Sequence, residues 1–297
     1  MKRYMGDAML LITAFVWGSG FVVTAIALQY LTAYQVMAGR FILATFILII
    51  IFGYKFKNFN LSIVWRGIVL GIILYISFAL QTVGLEYTTP SKNAFITAVN
   101  VVVVPIIAFF AFRRAIDRQE VIASILALIG IGFLSLQGSF TINFGDFLTL
   151  LCAIGFAFDI FFTNVFVQKE DALSLTIVQF MTASCIGAIV LLFQGDFTVT
   201  MEKEGWYAII YLAIFSTTIA YVCQNWAFQY TTATRAAIIL STEALFGTIM
   251  SVLILHEVLS GRMIFGAVLI MTAILIAELK PFLYFKRRKD AKKRIVS

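Results

Sequence analysis

Charge is scarce in this sequence, and so are histidine and cysteine. Charged residues make up 12% of the 297 positions, against roughly 25% in an ordinary soluble domain. Hydrophobic residues make up 62%, so too little polar surface is left to face water, which excludes a soluble globular chain. With one histidine, His256, H-E-x-x-H chemistry is impossible and a zinc site lacks its usual ligands. Three cysteines, Cys152, Cys185 and Cys223, fall in apolar stretches without C-x-x-C spacing and read as small core residues. No G-x-x-x-x-G-K-[ST] stretch occurs, so the chain supplies no ATPase of its own. Neither a catalytic residue nor a cofactor or metal is expected.

What the sequence does have is a series of apolar runs, each long enough to cross roughly 30 Å of hydrocarbon as a helix. Ten spans are expected, at approximately 7–29, 33–53, 63–86, 92–112, 118–137, 144–166, 174–194, 205–229, 233–255 and 262–283. Runs such as 47–52 and 101–104 do not alternate apolar with polar, which argues against a β-barrel. Helices then satisfy the backbone in lipid. The first run follows Lys2 and Arg3 but exceeds a signal-peptide core, so it is expected to stay as a membrane helix. The fold class is an all-α integral membrane protein.

Lysine and arginine set the orientation. With the N-terminus inside, Lys2, Arg3, Lys55, Lys57, Arg66, Arg113, Arg114, Arg118, Lys169, Arg235 and the tail from Lys280 to Arg294 are cytoplasmic, leaving Lys92, Lys203 and Arg262 outside. Both termini are thus expected in the cytoplasm, in the cytoplasmic membrane. The basic tail reads as a topology anchor and not as a nucleic-acid arm.

The chain also repeats itself. EYTTPSKNA at 86–94 returns as QYTTATRAA at 229–237. An offset of 143 lays Gln81 on Gln224, Lys92 on Arg235 and Asn100 on Glu243, and one of 139 lays Asp7 on Asp146, Arg40 on Gln179 and Phe41 on Phe180. Each half is a five-helix unit, 1–138 and 139–285, followed by a tail at 286–297. Because five is odd, the second copy enters from the opposite side, giving two inverted repeats, and such repeats are a transporter signature.

Several stretches then carry a family likeness: FVWGSGF at 15–21, MAGRFILA at 37–44, ATRAAIILSTEAL at 233–245, LHEVL at 255–259 and GAVLI at 266–270. The chain resembles the EamA family of the drug/metabolite transporter superfamily over nearly its whole length. That resemblance implies ten helices, cytoplasmic termini, a central cavity and export of small metabolites or amino acids. Members often carry proline just after the position of Glu243, where this chain has Ala244. A straighter ninth helix is expected in consequence.

An intramembrane charge costs roughly 2.5–3.5 kcal/mol even on insertion scales, so each one needs a reason. Arg40, Asp159 and Glu243 stand out as coupling or ion-pair candidates. Arg40 and Glu243 differ in depth by little more than an arginine side chain spans, so they can pair if the second and ninth helices are neighbours. The pair would be either a buried strut or a substrate and proton site. Asp159 has no acidic counterpart in the first half, where Gly20 stands, which marks it for proton coupling or for a hydrogen bond to a neighbouring helix.

Uncharged polar residues line up at helical spacing: Ser77, Gln81 and Thr88 in the third span, Thr217, Tyr221 and Gln224 in the eighth. Together with Asn100 they are expected to line a wet cavity. Trp17, Trp226, Phe158, Tyr221 and Phe228 offer an apolar wall, Gly67 and Gly71 a close helix contact, and His256 with Glu257 a helix-end pair.

The expected function is a secondary transporter, an exporter of amino acids, related metabolites or amphipathic drugs, driven passively or by a gradient that includes protons. Its partners are a small-molecule substrate and the lipid bilayer, and it acts as monomer or homodimer. A channel-like facilitator and a non-transporting membrane scaffold remain as alternatives at this stage.

Overall fold

The computed structural model describes residues 2–112, 118–135, 142–195, 202–228, 230 and 239–279. Its regular elements are all helical. In chain order they are α1 (Lys2–Ala27), α2 (Ala33–Phe52) with a 3-10 turn (Gly53–Asn58), α3 (Leu61–Leu85), α4 (Pro90–Ala98), α5 (Asn100–Phe112) and α6 (Arg118–Ser135). Then come α7 (Phe144–Val167), α8 (Ala172–Gln194), α9 (Lys203–Tyr211), a π-helical segment (Leu212–Ile219), α10 (Ala220–Ala227), α11 (Glu243–Leu255) and α12 (Gly261–Leu279).

The short polar breaks between apolar runs act as caps. Thr32 and Gln35 close a capping box at the start of α2, with Gln35 N–H donating to Thr32 Oγ1 at 3.3 Å and Thr32 N–H to Gln35 Oε1 at 3.1 Å. Asn60, Thr89, Asn143 and Asp171 each accept from a backbone N–H in the first turn of α3, α4, α7 and α8. In the EYTTPSKNA stretch, Thr89 caps and Pro90 occupies the first helical turn, where its missing N–H costs nothing. Burial alone would raise the Asp171 carboxyl, but the Ser174 hydroxyl and N–H and the Lys55 ammonium at 3.1 Å hold it below its ordinary value.

Among the described residues, seven helical runs are long and apolar enough to cross a membrane, and Glu243–Leu255 and Gly261–Ile276 are shorter apolar helices. The expected ninth span begins within 231–238, outside the described residues, as does most of the second echo. Two runs depart from simple α-helix. The fourth is interrupted at Val99, between α4 and α5. The eighth is π-helical over Leu212–Ile219, where Thr218 Oγ1 donates to the carbonyl of Ala213 five residues back at 2.8 Å. The ninth is interrupted at Thr242, whose Oγ1 donates to Ile239 O at 2.6 Å and so competes with the helical ladder.

Loops gather at two ends. At one, Lys55 pairs with Asp171 and Arg66 with Glu170. At the other, Thr88 donates to Asp146, Lys92 Nζ lies 3.6 Å from Asp146 Oδ2, and Ser91 N–H and Oγ donate to Glu257 Oε2 at 3.2 and 2.7 Å. Glu257 is therefore an anchor between α4 and the end of α11, not a partner of His256. His256 instead closes α11 in the left-handed conformation, φ 54°.

Helix partners follow the sequence offsets. Helix α1 packs on α10 and α11 while α7 packs on α3 and α4; α2 packs on the π segment while α8 packs on α3; α2 meets α8, and α6 meets α12. The Gly67 and Gly71 pair does mark a tight crossing, since a Cβ on either would stand 2.5 Å from atoms of α8. Of the cysteines, Cys152 is buried as expected, but Cys185 is exposed on the outside of the bundle and is no core residue.

Candidate functional site

The WGSG run makes α1 the wall against which the site is built. A Cβ on Gly18 would stand 2.6 Å from Phe246 Cβ and 2.8 Å from both Glu243 O and Gly247 N, so only glycine lets α1 and α11 cross this closely. One turn of side chains then reaches the π segment. Trp17 Nε1 donates to Ser216 O at 3.0 Å, and the Ser19 and Tyr211 hydroxyls lie 2.6 Å apart. The wide π turn releases a backbone carbonyl from the regular ladder, and Trp17 satisfies it.

The same segment holds Arg40. Its Nε donates to Thr217 Oγ1 at 3.1 Å and its Nη2 to Ser216 Oγ at 3.4 Å, while the guanidinium carbon sits 4.3 Å above the centre of the Phe78 ring. Arg40 is 2% exposed. Among the described residues no carboxylate oxygen lies within 4.0 Å of it, so the anticipated ion pair with Glu243 is absent. The second and ninth helices are kept apart because α2 packs on α8, α3 and the π segment, whereas α11 packs on α1 and α4.

Arg40 and Glu243 nonetheless share one cavity. It is lined from α1 by Trp17, Gly20, Phe21 and Thr24, from α3 by Phe78, Gln81 and Leu85, and from α4 and α5 by Thr97 and Asn100. Phe156, Asp159 and Ile160 of α7, Ser216, Tyr221, Gln224 and Glu243 complete it. Asp159, 5% exposed, accepts from Gln179 Nε2 at 2.9 Å. Gln81 Nε2 donates to Thr97 Oγ1 at 3.2 Å. Glu243, 7% exposed, has no hydrogen-bond or ion-pair partner among the described residues.

Thus Trp17, Arg40, Gln81, Asn100, Asp159, Tyr221, Gln224 and Glu243 are brought together, and six expected lining residues are not. Ser77 is buried where α3 meets Gly155 of α7, donating to Ile73 O at 2.7 Å. Thr217 lies behind Arg40 and positions it. Trp226 and Phe228 pack outside the cavity lining, in a cluster with Leu10, Ala227 and Leu240 that Trp17 also touches. Phe158 is exposed and stacks on Phe162. Thr88 belongs to the Asp146 contact at the end of the bundle.

Sequence reasoning passed over Phe78 and Phe156, yet the repeat offsets point at both. Trp17 plus 139 is Phe156, and Phe78 plus 143 is Tyr221. The structure makes these matches physical. Trp17 meets Tyr221 at a centroid distance of 5.4 Å, as Phe156 meets Phe78 at 4.9 Å; Tyr221 meets Phe180 at 5.3 Å, as Phe78 meets Phe41 at 5.6 Å. Phe41 and Phe180, themselves matched, close the series at 6.0 Å. Six rings therefore form one chain through the molecule whose two halves map onto each other.

The helix interruptions match as well. Val99 N–H donates to Ile96 O at 3.2 Å, and Thr242 N–H to Ile239 O at 3.2 Å, the same bond moved by 143 positions. Each tight turn ends just before a polar cavity residue, Asn100 in one half and Glu243 in the other.

The model of the EamA-like transporter family matches this chain twice, over residues 4–136 and 143–279. An uncharacterized transporter of Archaeoglobus fulgidus is 34% identical over 284 residues, covering 94% of this chain and 88% of that protein. The uncharacterized transporter YyaM of Bacillus subtilis is 27% identical over 295 residues, covering 94% and 95%. A solved crystal structure with 13% identity covers 92% of this chain and 96% of the other at a TM-score of 0.65, a likeness of fold.

Proposed function

Because the chain belongs to the EamA-like transporter family, we propose that it is a secondary transporter of the cytoplasmic membrane that exports small metabolites, amino acids or amphipathic drugs by alternating access. In this reading residues 1–138 and 139–285 are two inverted five-helix repeats, giving ten membrane helices, and 286–297 is a basic cytoplasmic tail. The observation that carries it is the matched pair of interruptions before Asn100 and Glu243, both in the cavity wall. Broken helices facing each other across a repeat axis leave polar backbone and side chains at the bilayer midplane, where a solute can bind. The mirrored ring chain and the family's double match add support. So does the exchange of partners between Thr82 with Met37 Sδ at 3.5 Å and Asn225 with Thr176 Oγ1 at 2.6 Å, which correspond at the same offsets.

Purified protein in proteoliposomes should show saturable counterflow: preloaded unlabelled solute accelerates uptake of labelled solute from a metabolite panel. Linear, non-saturating flux would indicate a channel, and no flux for any panel member would sink the transport reading. Glu243 is the proposed proton carrier, since it faces the cavity and has no partner among the described residues. Glu243→Gln keeps the shape and removes titration, so flux should persist while its dependence on an imposed pH gradient disappears. Undiminished gradient dependence in that variant would remove Glu243 from coupling.

A further inference from the structure

A guanidinium has five N–H donors, and in Arg40 the two bonds to protein both go to neutral hydroxyls, those of Thr217 and Ser216. A cation at 2% exposure normally sits against an acid, because a buried unpaired charge is expensive. Here the two acids that share the cavity are both out of ion-pair reach. Asp159 is engaged by the Gln179 amide instead. The opposite position in the other repeat, Gln179 itself, is uncharged, so the cation is a feature of one half only. Phe78 supports the guanidinium from below with its ring face, which fixes the plane without neutralising it.

We propose that the cavity binds its substrate through a carboxylate or similar small oxyanion docked on the free N–H edge of Arg40, with an apolar, flat body against Trp17, Phe78, Phe156 and Tyr221. This rests on the transport reading and narrows its substrate to organic anions. The planar N–H fork of arginine suits a two-oxygen acceptor. Its anchoring on Ser216 and Thr217 holds it preorganised, so little ordering is required on binding. The edge-to-face pairs Phe78–Phe156 and Trp17–Tyr221, in contact at 4.9 and 5.4 Å, line the cavity and complement an aromatic or alicyclic group. Glu243 contributes a second polar point, accepting an N–H or O–H elsewhere on the same molecule.

The test compares three probes of one shape on purified wild-type protein: phenylacetate, its neutral isostere phenylacetamide, and the cation phenethylamine. Phenylacetate should bind about 10- to 100-fold more tightly than phenylacetamide, the range expected for hydrogen bonds to a charged group, and phenethylamine should bind weakest. An acid no tighter than its amide, or an amine tighter than both, overturns the proposal, the latter by showing that Asp159 and Glu243 set the charge of the site. Arg40→Lys should cut the acid-to-amide ratio about tenfold, because an ammonium cannot offer the planar fork; the wild-type ratio decides the matter if this variant does not fold. Counterflow of the same probes separates the two readings. Acid-selective binding without counterflow sinks transport and leaves the anion site standing, whereas counterflow that favours the amine or amide does the reverse.

Discussion

Arg40→Met should give a protein that melts higher than wild type and transports at about one-hundredth of its rate or less. The stability gain arises because a fully buried guanidinium without a carboxylate carries a desolvation penalty of several kcal/mol. Two hydroxyl bonds and the Phe78 face, worth about 2 kcal/mol when desolvated, offset only part of it. Methionine is unbranched and adapts to the space along Phe41 and Phe78. The Thr217 and Ser216 hydroxyls left behind can turn to carbonyls of their own helix. A net gain of about 1–3 kcal/mol follows, or several degrees in Tm. Loss of function accompanies it because the proposed anion contact is gone. Differential scanning fluorimetry and counterflow on the same preparation check both halves. A lower Tm with flux retained would make Arg40 a structural strut.

Gly18→Val should prevent accumulation of folded protein, whereas Gly20→Ala should be tolerated. The two glycines are one helical half-turn apart and differ in what stands opposite. At Gly18 an added Cβ meets the backbone of α11 at Glu243 and Gly247 and the Cβ of Phe246, all within 2.8 Å. None of these atoms can turn aside, so the whole α1 and α11 crossing must open, at about 3 kcal/mol or more. At Gly20 the nearest atom is Ser216 Oγ at 2.7 Å, the tip of a small side chain that can turn aside at the cost of its 3.4 Å contact with Arg40. Size-exclusion profile and Tm in detergent measure the contrast. Equal behaviour of the two variants would mean that the crossing is looser than the structure shows.

The membrane helices were legible because lipid imposes one rule on every residue: each run must be apolar and about as long as the bilayer is thick. Expected ends at 33–53 and 144–166 became Ala33–Phe52 and Phe144–Val167 since caps such as Thr32 and Asn143 sit where polarity changes. The π segment was not legible. It depends on Trp17 and Arg40 reaching across from other helices to take the groups that a wide turn frees, and nothing in LAIFSTTI announces those partners. The interruption at Thr242 was likewise not legible, since a threonine hydroxyl and a tight backbone turn suffice for it. For the cavity, helical spacing found faces but not which face. Ser77 and Gln81 share a stripe, yet only Gln81 reaches the cavity, because Ser77 is pressed onto Gly155.

The ring chain has a mechanical consequence. Its central contact, Phe41 on Phe180, joins two residues that occupy the same place in their respective halves, so it lies where a rotation that exchanges the halves leaves position unchanged. In the alternating-access reading proposed above, a rocking motion would displace that contact least and the outer pairs, Trp17 with Tyr221 and Phe156 with Phe78, most and in opposite senses. In that reading the six rings would behave as a balance beam on a fulcrum, one outer pair tightening as the other eases.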